Sequence, residues 1–182
     1  MSKKRKVRTL DAAYIAIGAA LIAVCSWISI PWTVPFTMQT FGVFFVLLLL
    51  GGIRGTISIV VYILIGLVGV PVFSGFAGGV GVLLGKTGGY ILGFVLTGVS
   101  YLIAVKAFGE NRWIKIAALV IGLIACYAVG TAWFMYIYLR DVGAVGLMTV
   151  LSWCVFPFIL PDFVKMALAL VVAKRVKPVI KE

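Results

Sequence analysis

The sequence predicts an all-α integral membrane protein, a bundle of six transmembrane helices with both termini on the cytoplasmic side. Three observations carry that prediction. First, 64% of the 182 residues are hydrophobic and the mean hydropathy is +1.23. Soluble domains are about 45–50% apolar, so there is too little polar surface here to cover a water-soluble globule. Second, most of the chain divides into apolar segments near the roughly 20 residues that cross about 30 Å of hydrocarbon. Third, basic residues gather on alternate connections, as they do on cytoplasmic loops.

The first span is read over residues 10–30, directly after the basic run Lys3, Lys4, Arg5, Lys6 and Arg8. The second and third, 39–51 and 55–70, are short and meet at the tight turn Gly51-Gly52-Ile53-Arg54-Gly55. The fourth covers 87–105, the fifth 113–139 and the sixth 146–172. A five-span bundle with one re-entrant segment is the competing count. No polar stretch is long enough for a separate soluble domain. Residues 1–182 therefore form one membrane domain, with basic cytoplasmic tails at 1–9 and 173–182.

The net charge of +11 is distributed with a clear bias. Lys174, Arg175, Lys177 and Lys181 follow the last span. Arg54 lies between spans two and three, and Lys106, Arg112 and Lys115 lie around the turn between four and five. Six spans place all these groups on one side. The outer loops then hold Arg140, Asp141 and Lys86. The run from Ser2 to Val7 resembles a nucleic-acid or nuclear-localisation patch, but a basic stretch directly before an apolar span reads as topology signalling. No nucleic-acid partner is expected. The first apolar stretch is also too long for the core of a cleaved signal peptide.

The outer connections differ in character. The first, from Ile30 to Thr40, carries two prolines and several polar side chains. The second, from Val70 to Lys86, is long, apolar and rich in glycine, which permits unusual dihedrals and close approach. Such a loop is expected to fold back over the bundle with its backbone groups satisfied by protein, either as a ligand-covering lid or as a structural plug. The third, near Arg140–Ala144, is short.

Ala12, Ala16 and Ala20 recur at intervals of four in the first span, so they share one helix face. Small residues let another membrane helix approach closely. The stripe is either a docking surface for a partner subunit or a packing face within the bundle. Gly85, Gly89 and Gly93 form a second stripe, read as internal packing.

Several chemistries are excluded. The chain has no histidine. Cys25, Cys126 and Cys154 all fall in predicted spans with no metal-ligand spacing, so no metal, cofactor or catalytic residue is expected. Gly85-Lys86-Thr87 matches the end of the phosphate-binding consensus, but the glycine required at position 80 is Val80. Nucleotide hydrolysis by this chain is not expected.

The strongest polar signal is Asp162 with Lys165, three apart and so on one face of a helix. Pro161 suits the first turn of a helix segment, which would put Asp162 at a helix start, where the dipole favours an anion. Charges inside a membrane are costly and functional by default. A structural ion pair is the rival reading, although such a pair is weak evidence for stability. A polar ligand that donates to the carboxylate and accepts from the ammonium accounts for both charges. Proton coupling is disfavoured, because Asp11, Glu110 and Glu182 lie at cytoplasmic edges and a relay would lack stations.

Four stretches in order carry a family resemblance. They are Val34-Pro35-Phe36-Thr37-Met38-Gln39-Thr40, Gly69-Val70-Pro71-Val72-Phe73, Gly85-Lys86-Thr87-Gly88-Gly89-Tyr90 with Gly93-Phe94, and Pro157-Phe158 through Asp162 and Lys165. Over nearly its whole length the chain resembles the BioY family, the biotin-specific substrate-binding (S) components of energy-coupling factor (ECF) vitamin transporters. The resemblance implies a non-enzymatic, multi-pass protein of the bacterial plasma membrane. It implies an outward-facing pocket roofed by the first and third loops along the chain. Biotin would be the transported ligand, and the partners would be one ECF transmembrane coupling protein and two ATPase subunits. It raises the docking reading of Ala12, Ala16 and Ala20.

The resemblance also implies the ligand set. The ureido ring of biotin offers two N–H donors and a carbonyl, which suit Asp162 and Lys165. Its compact ring system suits Phe36, Phe73 and Tyr90, with Gln39 in the first stretch. Its carboxylate needs donors, which Lys86, Thr87 or the backbone of Gly88 and Gly89 would supply. Lys86 departs from the family pattern, in which many relatives carry proline. Two other readings stay open: an S component for another small vitamin, and a structural or assembly membrane protein without a ligand.

Overall fold

Gly51 decides the span count. The computed structural model describes residues 9–178; the basic residues Lys3, Lys4, Arg5, Lys6, Arg8 and Lys181 lie outside them. The chain runs through α1 (Thr9–Trp27), a two-residue strand pair β1 (Ser29–Ile30) and β2 (Phe36–Thr37), α2 (Gln39–Leu67), a 3-10 turn (Ser74–Phe76), α3 (Val80–Leu84), α4 (Gly88–Phe108), α5 (Arg112–Asp141), α6 (Leu147–Cys154) and α7 (Phe156–Val176). Among the described residues, five helical stretches have the length and apolarity of a membrane span, with α6 and α7 counted together.

One of the five is a hairpin. Gly51 has φ 80° and ψ 175° inside α2, a left-handed region that favours glycine. A straight helix would hold Gln39 and Tyr62 about 35 Å apart. Instead Gln39 Nε2 donates to Tyr62 Oη at 2.8 Å, and a Cβ on Gly55 would lie 2.9 Å from Leu47 Cα. The arms 39–50 and 52–67 therefore run antiparallel, and the six-span bundle follows. At roughly 18 Å the first arm is shorter than the hydrocarbon core. It is shielded by protein, with Gly42 through Leu48 all buried.

The sixth span is broken rather than continuous. Val155 (φ −126°, ψ −59°) separates α6 from α7. Pro157, in the first turn of α7, has no N–H to continue the ladder of α6, and its ring crowds the preceding turn. This corrects the reading of Pro161, which stands inside α7 and not at a helix start. Asp162 is thus a mid-helix residue, and a helix terminus is not its stabiliser.

Helices approach through small residues. A Cβ on Gly93 of α4 would meet Cys126 Cα at 3.0 Å, and one on Gly122 of α5 would meet Thr97 Cα at 2.6 Å. Gly89 likewise packs on Trp133, while Gly85 precedes α4 and lies outside this helical seam. Ile17, Ile103, Ile121 and Ile124 point outward and are exposed, as lipid-facing residues are. At the inner end, Arg54 pairs with Asp11 at 2.6 Å. Lys115 donates to Glu110 at 2.8 Å, which holds the Glu110 carboxyl below its usual range.

The second outer loop folds back as expected, and side chains from three helices bind its carbonyls. Ser26 Oγ donates to Val72 O at 2.5 Å and Tyr62 Oη donates to the same oxygen at 3.2 Å. Trp27 Nε1 donates to Pro71 O, and Trp133 Nε1 to Gly85 O, both at 2.9 Å. Among the described residues every buried side-chain nitrogen and oxygen has a partner, as a chain without access to water requires.

Candidate functional site

A cavity of about 120 Å³ lies between the outer parts of α2, α4, α5 and α7. Val34, Pro35 and Thr37 of the first loop and Phe73, Ser74 and Val82 of the second outer loop contribute to its wall. Two buried clusters meet around it: the main core below, and an outer one built on Val34, Tyr90, Phe134, Val150 and Phe158. The roof is therefore made of the two loops whose proline and glycine content forbids long regular helix.

Asp162 and Lys165 lie on this wall, 2% and 5% exposed, and among the described residues they are the only buried charges. Lys165 Nζ donates to Asp162 Oδ1 at 2.8 Å. Thr40 Oγ1 donates to the same oxygen at 2.9 Å and accepts from Lys165 Nζ at 3.2 Å. Tyr127 Oη donates to Asp162 Oδ2 at 2.6 Å. The ammonium also stands 4.2 Å from the centroid of the Phe36 ring, which is stacked on Phe158.

Hydrogen-bond capacity follows from this arrangement. A carboxylate has about four acceptor sites and an ammonium three donors. Three donors already reach Asp162, and Lys165 already donates twice. The pair keeps about one acceptor and one donor for a ligand. It is neutral overall, and its geometry is fixed by two hydroxyls before anything arrives.

Of the residues singled out from sequence, Asp162, Lys165, Gln39, Phe73, Thr87 and Tyr90 line the cavity together. Phe36 stands behind Lys165 rather than on the wall. Gly88 and Gly89 are not wall residues: Gly88 packs on the Leu83 carbonyl of α3 and Gly89 on Trp133 of α5. Lys86 is also off the wall, with its Nζ over the Tyr138 ring at 5.0 Å. Ala12, Ala16 and Ala20 are all exposed on α1, while Ala19, Ile22 and Ala23 face the core.

Sequence reasoning missed two central residues. Thr40 lies at the end of a stretch already noted, one position beyond Gln39. Tyr127 lies within an apolar span, and its only signal was a hydroxyl that a membrane interior must pair.

Fold and site define a multi-span membrane protein built around a small-molecule cavity. The chain belongs to the BioY family, which it matches over residues 1–182. It is 38% identical over 165 residues to a biotin transporter BioY of Thermotoga maritima, covering 88% of this chain and 92% of that one. It is 34% identical over 172 residues to a probable biotin transporter BioY of Pyrococcus horikoshii, covering 94% and 98%. Its fold matches the crystal structure of an S-component for biotin from an ECF-type ABC transporter, with TM-score 0.78 and 26% identity over 98% of this chain and 95% of that one. These relatives are transporters and a transporter component, not enzymes.

Proposed function

We propose that this chain is the biotin-capturing subunit of an ECF-type vitamin transporter. The observation that carries the reading is the Asp162–Lys165 pair, buried yet opening onto a cavity. An ion pair serving only to close the bundle would be walled off by protein. One free acceptor beside one free donor matches an N–H and the carbonyl of a ureido group. Thr40 and Tyr127 hold that pair ready, so little ordering remains to be done on binding. Phe73, Tyr90, Phe94 and Phe158 offer apolar area to the compact ring system, and Thr87 a hydroxyl farther out.

Transport then needs energy from elsewhere. The reading assigns ATP hydrolysis to two partner ATPases, linked through a transmembrane coupling protein. The exposed stripe Ala12, Ala16 and Ala20 supports docking of that protein on α1, since small residues allow close helix approach.

Titration calorimetry of the purified chain tests the capture step. Biotin binding without ATPase activity is the expected result. Absence of heat together with failure to retain labelled biotin would reject it, and a panel of other small vitamins would identify a different ligand.

A further inference from the structure

The second outer loop is fastened unevenly. Val72 O accepts from both Ser26 and Tyr62. The Phe73 ring is 1% exposed, lies against Gly66 and stands edge-on to Tyr62. This part of the loop is anchored in the core. The 3-10 turn Ser74–Phe76 that follows contains no buried residue. It is closed at its base by Phe73 N donating to Ala77 O at 2.9 Å, and its Ser74 stands on the cavity wall.

The turn is also strained. Gly75 and Phe76 both have positive φ, 71° and 57°. Among the described residues Phe76 is the only non-glycine in that region. Bulky residues avoid it, and such a conformation persists only where the surroundings impose it. Phe76 is 65% exposed, so burial does not impose it. Its neighbour is Trp27, whose ring stacks on it with centroids 5.2 Å apart at 25°. Trp27 Nε1 also donates to Pro71 O at 2.9 Å. One side chain at the outer end of α1 therefore grips the loop on both sides of Ser74.

We infer that Trp27 is a latch, a positioning residue that holds the Ser74–Phe76 turn shut beside the cavity. When the stack parts, the strained turn relaxes and ligand passes. The inference rests on the biotin reading for the identity of what passes. Trp27 lies off the cavity wall, so it controls passage and not recognition. Weakening a closed state that dominates with and without ligand raises the open fraction by one factor in both. Association and dissociation then quicken together, and affinity stays nearly constant.

The test follows uptake and chase of labelled biotin on purified wild type, Trp27→Ala and Phe76→Ala. Each variant is expected to raise both rates in parallel, by about threefold to tenfold, with Kd nearly unchanged. Trp27→Phe retains a stacking ring and should fall between wild type and Trp27→Ala. Phe76→Ala added to Trp27→Ala should change little further, because the two rings act as a pair. In ligand-free protein, hydrogen exchange over residues 73–79 should quicken in both single variants. Unchanged rates would overturn the latch, as would a loss of affinity carried by dissociation alone, or unchanged exchange. Wild type that binds no biotin would reject the biotin reading, and the exchange measurement would still decide whether Trp27 holds the turn.

Discussion

Tyr127 donates to one oxygen of Asp162 at 2.6 Å, while Thr40 and Lys165 share the other. The carboxylate is thus held from two sides by groups on α5, α2 and its own helix. Its position on the cavity wall is set by three elements at once.

The carboxylate itself is the first test. Asp162→Asn replaces a charged acceptor with an amide that also donates, facing Lys165 and Thr40. Biotin affinity should fall by at least about 1.5 kcal/mol, read as Kd by calorimetry. Unchanged affinity would return Asp162 to a structural role.

The positioning role of Tyr127 gives a second. Tyr127→Phe keeps the ring and removes one donor, and biotin binding should weaken by about 1–2 kcal/mol. In an Asp162→Asn background the same change should cost clearly less, because the two residues are in contact and couple. Full additivity in that cycle would separate them.

The α4–α5 seam provides a stability test away from the cavity. A Cβ on Gly122 would lie 2.6 Å from Thr97 Cα, and a backbone atom cannot rotate aside. Gly122→Ala should destabilise the protein by about 1–3 kcal/mol, seen as a lower Tm in detergent. A Tm equal to wild type would mean the two helices separate without cost.

Docking can be tested independently of capture. Ala16→Trp places a large ring on the exposed face of α1. Biotin binding should persist while co-purification with the coupling protein is lost. Loss of both would show that Ala16 is a core position.

Much of this fold was legible because membrane spans announce themselves by composition, and Gly51-Gly52 marked the hairpin between two short arms. The break before α7 was harder to see. Pro157 and Pro161 lie four apart in one helical register, and sequence alone does not say which ends a helix and which is tolerated within one. Packing of α6 against α5 and α7 decides it. The ion pair was visible because charge is scarce in apolar spans. Its partners Thr40 and Tyr127 were not, because a hydroxyl in a span gains its role from the neighbour that tertiary structure supplies, 122 and 35 positions away. The packing of Gly88 and Gly89 was hidden for a related reason: glycine beside a ligand and glycine against a carbonyl or a tryptophan look alike in sequence.

The closeness of Asp162 and Lys165 has an electrical consequence. A transmembrane voltage does about 2.3 kcal/mol of work per unit charge per 100 mV across the whole membrane. Opposite charges separated by 2.8 Å sense only about a tenth of a hydrocarbon core of about 30 Å, or about 0.2 kcal/mol. The pair is therefore almost invisible to the membrane potential, and the resting cell voltage neither tightens it nor pulls it apart.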